Sequence, residues 1–384
     1  MPEVSLSLEL ESLLRFSIAQ GISDIHLKPG RPPVFRLAAM NDLVSPKGMG
    51  PLEEGDIHRL VDPLLQEHHR LMLRERGGVD LGWGIQGVGR FRIHLYRSRV
   101  GSQAALRVVP ARIPGIQDLG LPPAVSQLTG ERRGFILVTG AAGNGKSTTL
   151  ASMLDQINRT RPCHIVTIED PIEFVIEDRR GIVTQREVGS DTSSFTEGLR
   201  AALRQDPDVI LVGEVRDRET VETALRAAET GHLVLSTMHT LDAKETVQRV
   251  IGFFEPHEHE TVRRMLASVL KAVICQRLVQ RQDARGRIPA VELMLATARI
   301  RDLLQDPDGL ALIPEAIAQG QSQYGMQTFD QSLMQLYREG RIRYEEALAH
   351  ATNPADFALR VQGIAVGEDA SALVPGSAND PYRF

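Results

Sequence analysis

Residues 140 to 148 read GAAGNGKST and follow directly on the apolar run Phe135 to Thr139. An apolar strand, a glycine-rich turn and a Lys-Ser pair heading an amphipathic stretch constrain this part of the chain to a strand-loop-helix unit of a parallel α/β sheet. In such a loop the backbone N–H groups and Lys146 cradle the β- and γ-phosphates of a nucleotide, while the Ser147 hydroxyl faces Mg²⁺. The candidate binding set is Gly140, Ala141, Ala142, Gly143, Asn144, Gly145, Lys146, Ser147 and Thr148, with ATP and Mg²⁺ as the expected ligands. Gly140, Gly143 and Gly145 let the chain approach phosphates closely, and a helix starting near Lys146 aims its positive end at them. Over Thr149 to Asn158 the spacing of Leu150, Met153, Leu154 and Ile157 predicts the buried stripe of that helix.

The surrounding pattern extends the unit into a sheet. From Arg133 onward, strands are predicted at 135–139, 164–169, 182–186, 209–214 and 232–238, mostly with helices between them, which implies a largely parallel sheet covered on both faces. RIPAVELML, beyond Gln280, reads as one more strand, and the remainder to Val361 as helical. The first part differs. Leu10, Leu13, Leu14 and Ile18 have helical spacing, SDIHLKPG and PPVFRLA alternate as strands do, and GVDLGWGIQGVGRFRIHLYRSRVGSQAALRVVP reads as a three-stranded meander. Pro110, Pro114, Gly115, Gly120, Pro122 and Pro123 punctuate the stretch after the meander. The expected organisation is an N-terminal α+β domain at 1–110, a linker at 111–124, an α/β core at 125–295, a helical region at 296–362 and a flexible tail at 363–384.

A chain of 384 residues is long enough for two such domains. Its net charge of −5 and aromatic content of 4% argue against a nucleic-acid motor, which needs a basic groove and stacking platforms. Cys163 and Cys275 form neither a C-x-x-C pair nor a disulfide framework, which fits a reducing cytoplasm. The N-terminus lacks the basic and apolar regions of a signal peptide, and no stretch reaches the ~18 apolar residues of a membrane span. Any membrane connection is expected to run through a partner.

Ligands of open parallel sheets sit at the carboxyl ends of the strands. There the chain places Glu169-Asp170-Pro171-Ile172-Glu173, which brings three carboxylates near the γ-phosphate, and Gly213-Glu214, where a carboxylate would hold Mg²⁺ directly or through water. His232 and His239 bracket one strand, with His239 at the ligand end. Turn capping before Pro171 is the competing role for Glu169 and Asp170. The meander supplies Arg90, Arg92, Arg97, Arg99 and Arg107. Arg90 and Arg92 share a face, which serves either as a source of arginine fingers or as a solvated basic surface.

Four blocks carry a resemblance to a family. QGISDIHLKPGRPP looks like an N-terminal signature, TIEDPIEF (167–174) an aspartate box, DPDVILVGEVRDRET (206–220) a Walker B region, and AAETGHLVLSTMHT (227–240) a histidine box. Together they resemble the bacterial type IV pilus retraction ATPases, the PilT and PilU proteins of the secretion ATPase superfamily, over about Leu13 to Arg360. The resemblance implies a PAS-like N-terminal domain followed by a RecA-like P-loop ATPase domain with a helical C-terminal region, working as a homohexamer. It also implies a cytoplasmic location at the inner-membrane base of the pilus machine, where a platform protein is the partner. By position, Glu173 resembles the catalytic base, Glu214 the Walker B glutamate, and His232 and His239 the pair that senses nucleotide state. Arg92 and Arg107 match the N-domain arginines that reach the nucleotide across an interface. The resemblance thus implies catalytic roles for Glu173, Glu214, His239, Arg92 and Arg107, nucleotide contacts from Glu169 and His232, and a metal held by Ser147 and Glu214. Absence of a four-cysteine module sets the chain apart from extension and type II secretion ATPases. Where the retraction motor carries Ala-Ile-Arg-Asn-Leu, this chain has Arg299-Ile300-Arg301-Asp302-Leu303, and residues 324–351 look closer to PilU. The alternative is therefore an accessory ATP-binding subunit acting with a second retraction ATPase.

Overall fold

The computed structural model describes residues 10–37, 42–46, 48–85, 89–109, 113–283 and 286–363. Pro110 and, apart from Gly363, the tail expected at 363–384 lie outside the described residues.

Alternating sequence builds the first sheet. In chain order the elements are α1 (Leu10–Ala19), β1 (Ile22–Leu27), β2 (Val34–Leu37), β3 (Leu43–Val44), α2 (Glu54–Val61), α3 (Glu67–Arg76), β4 (Gly78–Ile85), β5 (Gly89–Ser98) and β6 (Gly101–Val109). Strands β4, β5 and β6 form the expected antiparallel meander, and β1 adds to β6, giving the order β3-β2-β1-β6-β5-β4. Phe91, Ile93 and Leu95 of β5 are buried against Leu13, Leu14, Ile57, Val61 and Leu73 of the three helices. The residues between them, Arg90, Arg92 and His94, are turned to the other face by the two-residue period.

The second sheet has no polar face. Its elements are α4 (Pro123–Leu128), β7 (Gly134–Thr139), α5 (Lys146–Thr160), β8 (His164–Glu169), β9 (Ile182–Glu187), α6 (Phe195–Ala202), β10 (Val209–Val212), α7 (Arg218–Glu229), β11 (Leu233–Met238), α8 (Ala243–Ile251), α9 (His259–Val269), β12 (Leu270–Gln280) and β13 (Arg287–Leu295). The order is β13-β12-β7-β11-β10-β8-β9, parallel throughout except for β13. Every residue of β7, β10 and β11 is buried, as a sheet covered on both sides demands. Phe135 and Leu137 enter one core, while Ile136 and Val138 enter the other and meet the α5 stripe of Leu150, Met153, Leu154 and Ile157. Burying each such side chain contributes about 1.5–3 kcal/mol, so the loop between β7 and α5 is anchored at both ends. Asp217 and Asp242 cap α7 and α8 by accepting from Thr220 N and Glu245 N.

Several elements differ from expectation. Strand β12 was not legible, because α9 ends at Val269 and the strand begins at Leu270 with no Gly or Pro between them. Strand β10 stops at Val212, so Gly213 and Glu214 lie just past its end. From Ile113 the segment expected as a linker is docked on the second core, through Ile113, Ile116 and Leu121 and a 2.9 Å bond from Ser152 Oγ to the Pro114 carbonyl. Beyond β13 the described chain is helical, in α10 (Ala298–Gln305), α11 (Ile313–Gln319), α12 (Gln321–Tyr324), α13 (Phe329–Arg338), α14 (Tyr344–His350) and α15 (Pro354–Val361). Among the described residues no helix is long and apolar enough to cross a membrane.

Candidate nucleotide site at the domain junction

The loop after β7 is held in the shape its glycines permit. Gly140, Gly143 and Gly145 have φ of 137°, 79° and 83°, in the region that favours glycine. A Cβ on Gly140 would lie 2.4 Å from the Gln276 carbonyl oxygen of β12, so this glycine lets the loop pack against the neighbouring strand. Asn144 ties the loop to the same strand, its Oδ1 accepting from Leu278 N at 3.2 Å. Ala141, Ala142 and Gly143 remain exposed at the rim, and Ser147 and Thr148 open the first turn of α5. The exposed loop amides and the α5 N-terminus together form an anion cradle.

Lys146 is 8% exposed and donates to the Gly140 and Ala141 carbonyls at 2.7 and 3.1 Å. Burial pushes its pKa down, opposed by the carboxylates of Glu214 and Glu173. His239, just past β11, lies between two of these groups. Its Nδ1 is 3.4 Å from Lys146 Nζ and its Nε2 is 3.5 Å from Glu214 Oε1, so a proton on Nε2 satisfies both neighbours. Glu214 also pairs with Arg216 at 2.7 Å. The turn that carries Glu214 is fixed by Thr237 Oγ1, which donates to the Gly213 carbonyl at 2.7 Å, and by Gly213 N, which donates to Ile168 O at 2.7 Å.

Beside the loop, the end of β8 and the segment after it bring Glu169, Asp170 and Glu173 to one cavity of about 320 Å³, together with Lys146, Ser147, Glu214 and His239. Glu169 accepts from Thr167 Oγ1 at 2.7 Å and Gln185 Nε2 at 3.0 Å, yet burial is the larger effect and pushes its carboxyl upward.

The N-terminal domain closes the cavity. Arg92 and Arg107 are directly opposite each other on β5 and β6, and both line it. Two like charges side by side are unfavourable. Asp80 lies 3.4 Å from Arg92 Nε, and Asp24 accepts from Arg107 Nε at 2.8 Å. Both arginines face the cavity of their own chain.

His232 is not brought to this cavity. It precedes Leu233 at the start of β11, where its Nδ1 meets the Ala227 carbonyl at 2.9 Å, and its own carbonyl accepts from Gly134 N at the start of β7. Strand direction therefore puts it a full β11 length from His239, roughly 20 Å at ~3.3 Å per residue, and it does not line the cavity of this chain. Arg216 was not singled out from sequence, although its place two residues after Glu214 was a usable signal. Arg90 was singled out only as part of a basic face.

Opposite Cys275 of β12, Glu292 of β13 is 7% exposed and accepts from Ala243 N at 2.8 Å. Burial pushes its carboxyl up to about 7.

The donor set suits Mg²⁺. Ser147 and Glu214 offer hard oxygens in one cavity. Mg²⁺ is commonly held by one or two protein oxygens plus substrate phosphates.

Comparison with known proteins places this geometry. Residues 84–352 match the family described as type II/IV secretion system protein. The type IV pilus retraction ATPase PilT of Pseudomonas aeruginosa is 42% identical over 350 residues, covering 91% of this chain and 100% of the relative. The type IV pilus ATPase PilU of the same organism is 39% identical, covering 92% of each chain. The crystal structure of the pilus retraction motor PilT with bound ADP superposes with a TM-score of 0.83 at 44% identity, covering 91% of this chain and 99% of that one.

Proposed function

The chain belongs to the type II/IV secretion system protein family, within its PilT/PilU branch, and from that premise we propose that it is a hexameric motor ATPase coupling ATP hydrolysis to retraction of a type IV pilus. The observation that carries this is the single cavity lined by a phosphate loop, an acidic segment and two N-domain arginines. Such a cavity gives phosphate chemistry a mechanical output, because the charge that develops on the γ-phosphate is felt by both domains.

In this reading the loop amides and Lys146 hold the β- and γ-phosphates. Glu173 accepts the proton of the attacking water. Arg92 and Arg107 neutralise charge spreading onto the phosphate oxygens, and their mutual repulsion falls when an anion lies between them. His239, between Lys146 and Glu214, reports whether a γ-phosphate is present. Mg²⁺, when bound, would sit by Ser147 and Glu214 and supplies charge neutralisation at the β- and γ-phosphate oxygens. The hexamer acts on a platform protein at the inner-membrane base of the pilus.

A second reading, an accessory subunit working with another retraction ATPase, draws support from the near-equal likeness to PilU. At the position of the retraction motor's Ala-Ile-Arg-Asn-Leu, Arg299 on α10 is tied to Gln319 by a 2.7 Å bond. The test is the ATPase rate of the purified protein beside its oligomeric mass, with Glu173→Gln as control. Robust turnover in a hexamer, lost in the variant, supports a self-sufficient motor. ATP binding with turnover no faster than the variant's moves the protein to the accessory role. Stimulation by single-stranded DNA would count against both.

A further inference from the structure

The segment that carries Glu173 is pinned on both sides. Toward β9, Gln185 Nε2 donates to the Phe174 carbonyl at 2.9 Å and its Oε1 accepts from Ile176 N at 2.8 Å. On the other side of Glu173, Glu187 Oε2 accepts from Ile172 N at 3.0 Å. The third contact comes from the other domain. Arg90 of β5 donates through Nε to the Ile172 carbonyl at 2.9 Å and through Nη2 to Glu187 Oε2 at 2.6 Å. One guanidinium therefore holds the residue before Glu173 by its carbonyl and also holds the carboxylate that grips its amide. Both charged side chains are largely withdrawn from water, at 21% and 13% exposed, where a charge-assisted pair is more directional than on the surface.

Gly82 of β4 makes room for this arrangement. A Cβ there would lie 2.4 Å from Arg90 Nη2 and 3.0 Å from Glu187 Oε2. Its backbone is outside the left-handed region, so alanine is permitted by conformation and excluded only by the pair.

We infer that Arg90 is a positioning residue through which the N-terminal domain sets the orientation of Glu173, so that hydrolysis proceeds only when that domain is seated on the ATPase core. This rests on the reading of Glu173 as the base. Arg90 touches no substrate; it acts through the Ile172 peptide. Arg92, two residues along the same strand, faces the nucleotide cavity itself, so one strand carries both a phosphate contact and the brace of the base.

The experiment uses the full-length protein in Arg90→Ala, Gly82→Ala and Glu173→Gln forms, with both doubles on Glu173→Gln. Steady-state kinetics on radiolabelled ATP, nucleotide affinity and oligomeric mass are measured for each. Gly82→Ala keeps every bonding group and adds one methyl, so it tests the placement of the pair without removing a charge. Arg90→Ala and Gly82→Ala are each expected to lower kcat about tenfold, with KM and Kd for ATP within about twofold and the mass unchanged. On the Glu173→Gln background neither should lower the residual rate further, because a brace has no effect once the braced group is gone. An equal tenfold loss on both backgrounds overturns the inference, as does a loss confined to KM, Kd or assembly. If Glu173→Gln alone turns over normally, the base assignment itself is wrong. That result is visible in the single variant, separately from any effect of Arg90, and it overturns the inference too.

Discussion

The two sheets handle polar residues in opposite ways. The N-terminal sheet is antiparallel with one core face, so it can display charged side chains in mid-strand, as β5 does with Arg90 and Arg92. The ATPase sheet is buried on both faces, and in β7, β10 and β11 no residue is free to meet a ligand until the strand ends. Function there is confined to one rim, where Lys146, Glu173, Glu214 and His239 collect. The rim supplies chemistry at the strand ends, and the arginine face of the other sheet lines the same cavity.

The strongest way to break this comparison is at the rim. Lys146→Ala should lower kcat/KM by about 10³ and weaken nucleotide binding with it, seen by calorimetry beside turnover; a small effect would deny the rim its central place. Glu173→Gln should leave binding intact and lower kcat by ~100-fold.

Away from the cavity lining, Glu292 of β13 offers a test of stability. Its carboxyl is raised from 4.5 to about 7 by burial, so the folded state favours the protonated form. The contribution of this group is therefore most favourable below about pH 4.5 and is lost as pH rises toward 7. Glu292→Gln should flatten that part of the pH profile of denaturant midpoints and stabilise the protein at pH 8 by on the order of 1–2 kcal/mol. Unchanged curves would mean the carboxylate is solvated.

The arginine face gives the smallest and most discriminating effect. Arg92 lies opposite Arg107, and its pairing with Asp80 is half exposed and worth little. Arg92→Ala should lower turnover yet raise ligand-free stability by about 0.5 kcal/mol, a trade visible by combining an ATPase assay with thermal unfolding. A destabilised variant would make this arginine an ordinary structural residue.

Much of this was legible because local chemistry specified it. The phosphate loop needs glycines at fixed offsets, the strands of the second sheet read as apolar runs, and the meander alternates. Strand β12 escaped because no turn residue separates it from α9. The sequence places His232 and His239 at opposite ends of one strand, and β11 keeps them there, with only His239 at the cavity. The grip of Arg90 on the Ile172 carbonyl and Glu187 joins residues 82 and 97 positions apart, a distance at which spacing carries no signal.

The two carbonyl bonds of Lys146 bear on selectivity. Lys146 already donates to two carbonyls of its own loop. Nucleotide binding is thus an exchange of acceptors, and an arriving ligand must outcompete two neutral oxygens for one ammonium. Uncharged nucleosides offer nothing better than what the lysine holds, whereas a polyphosphate does, so this bonding favours polyphosphates over uncharged nucleosides.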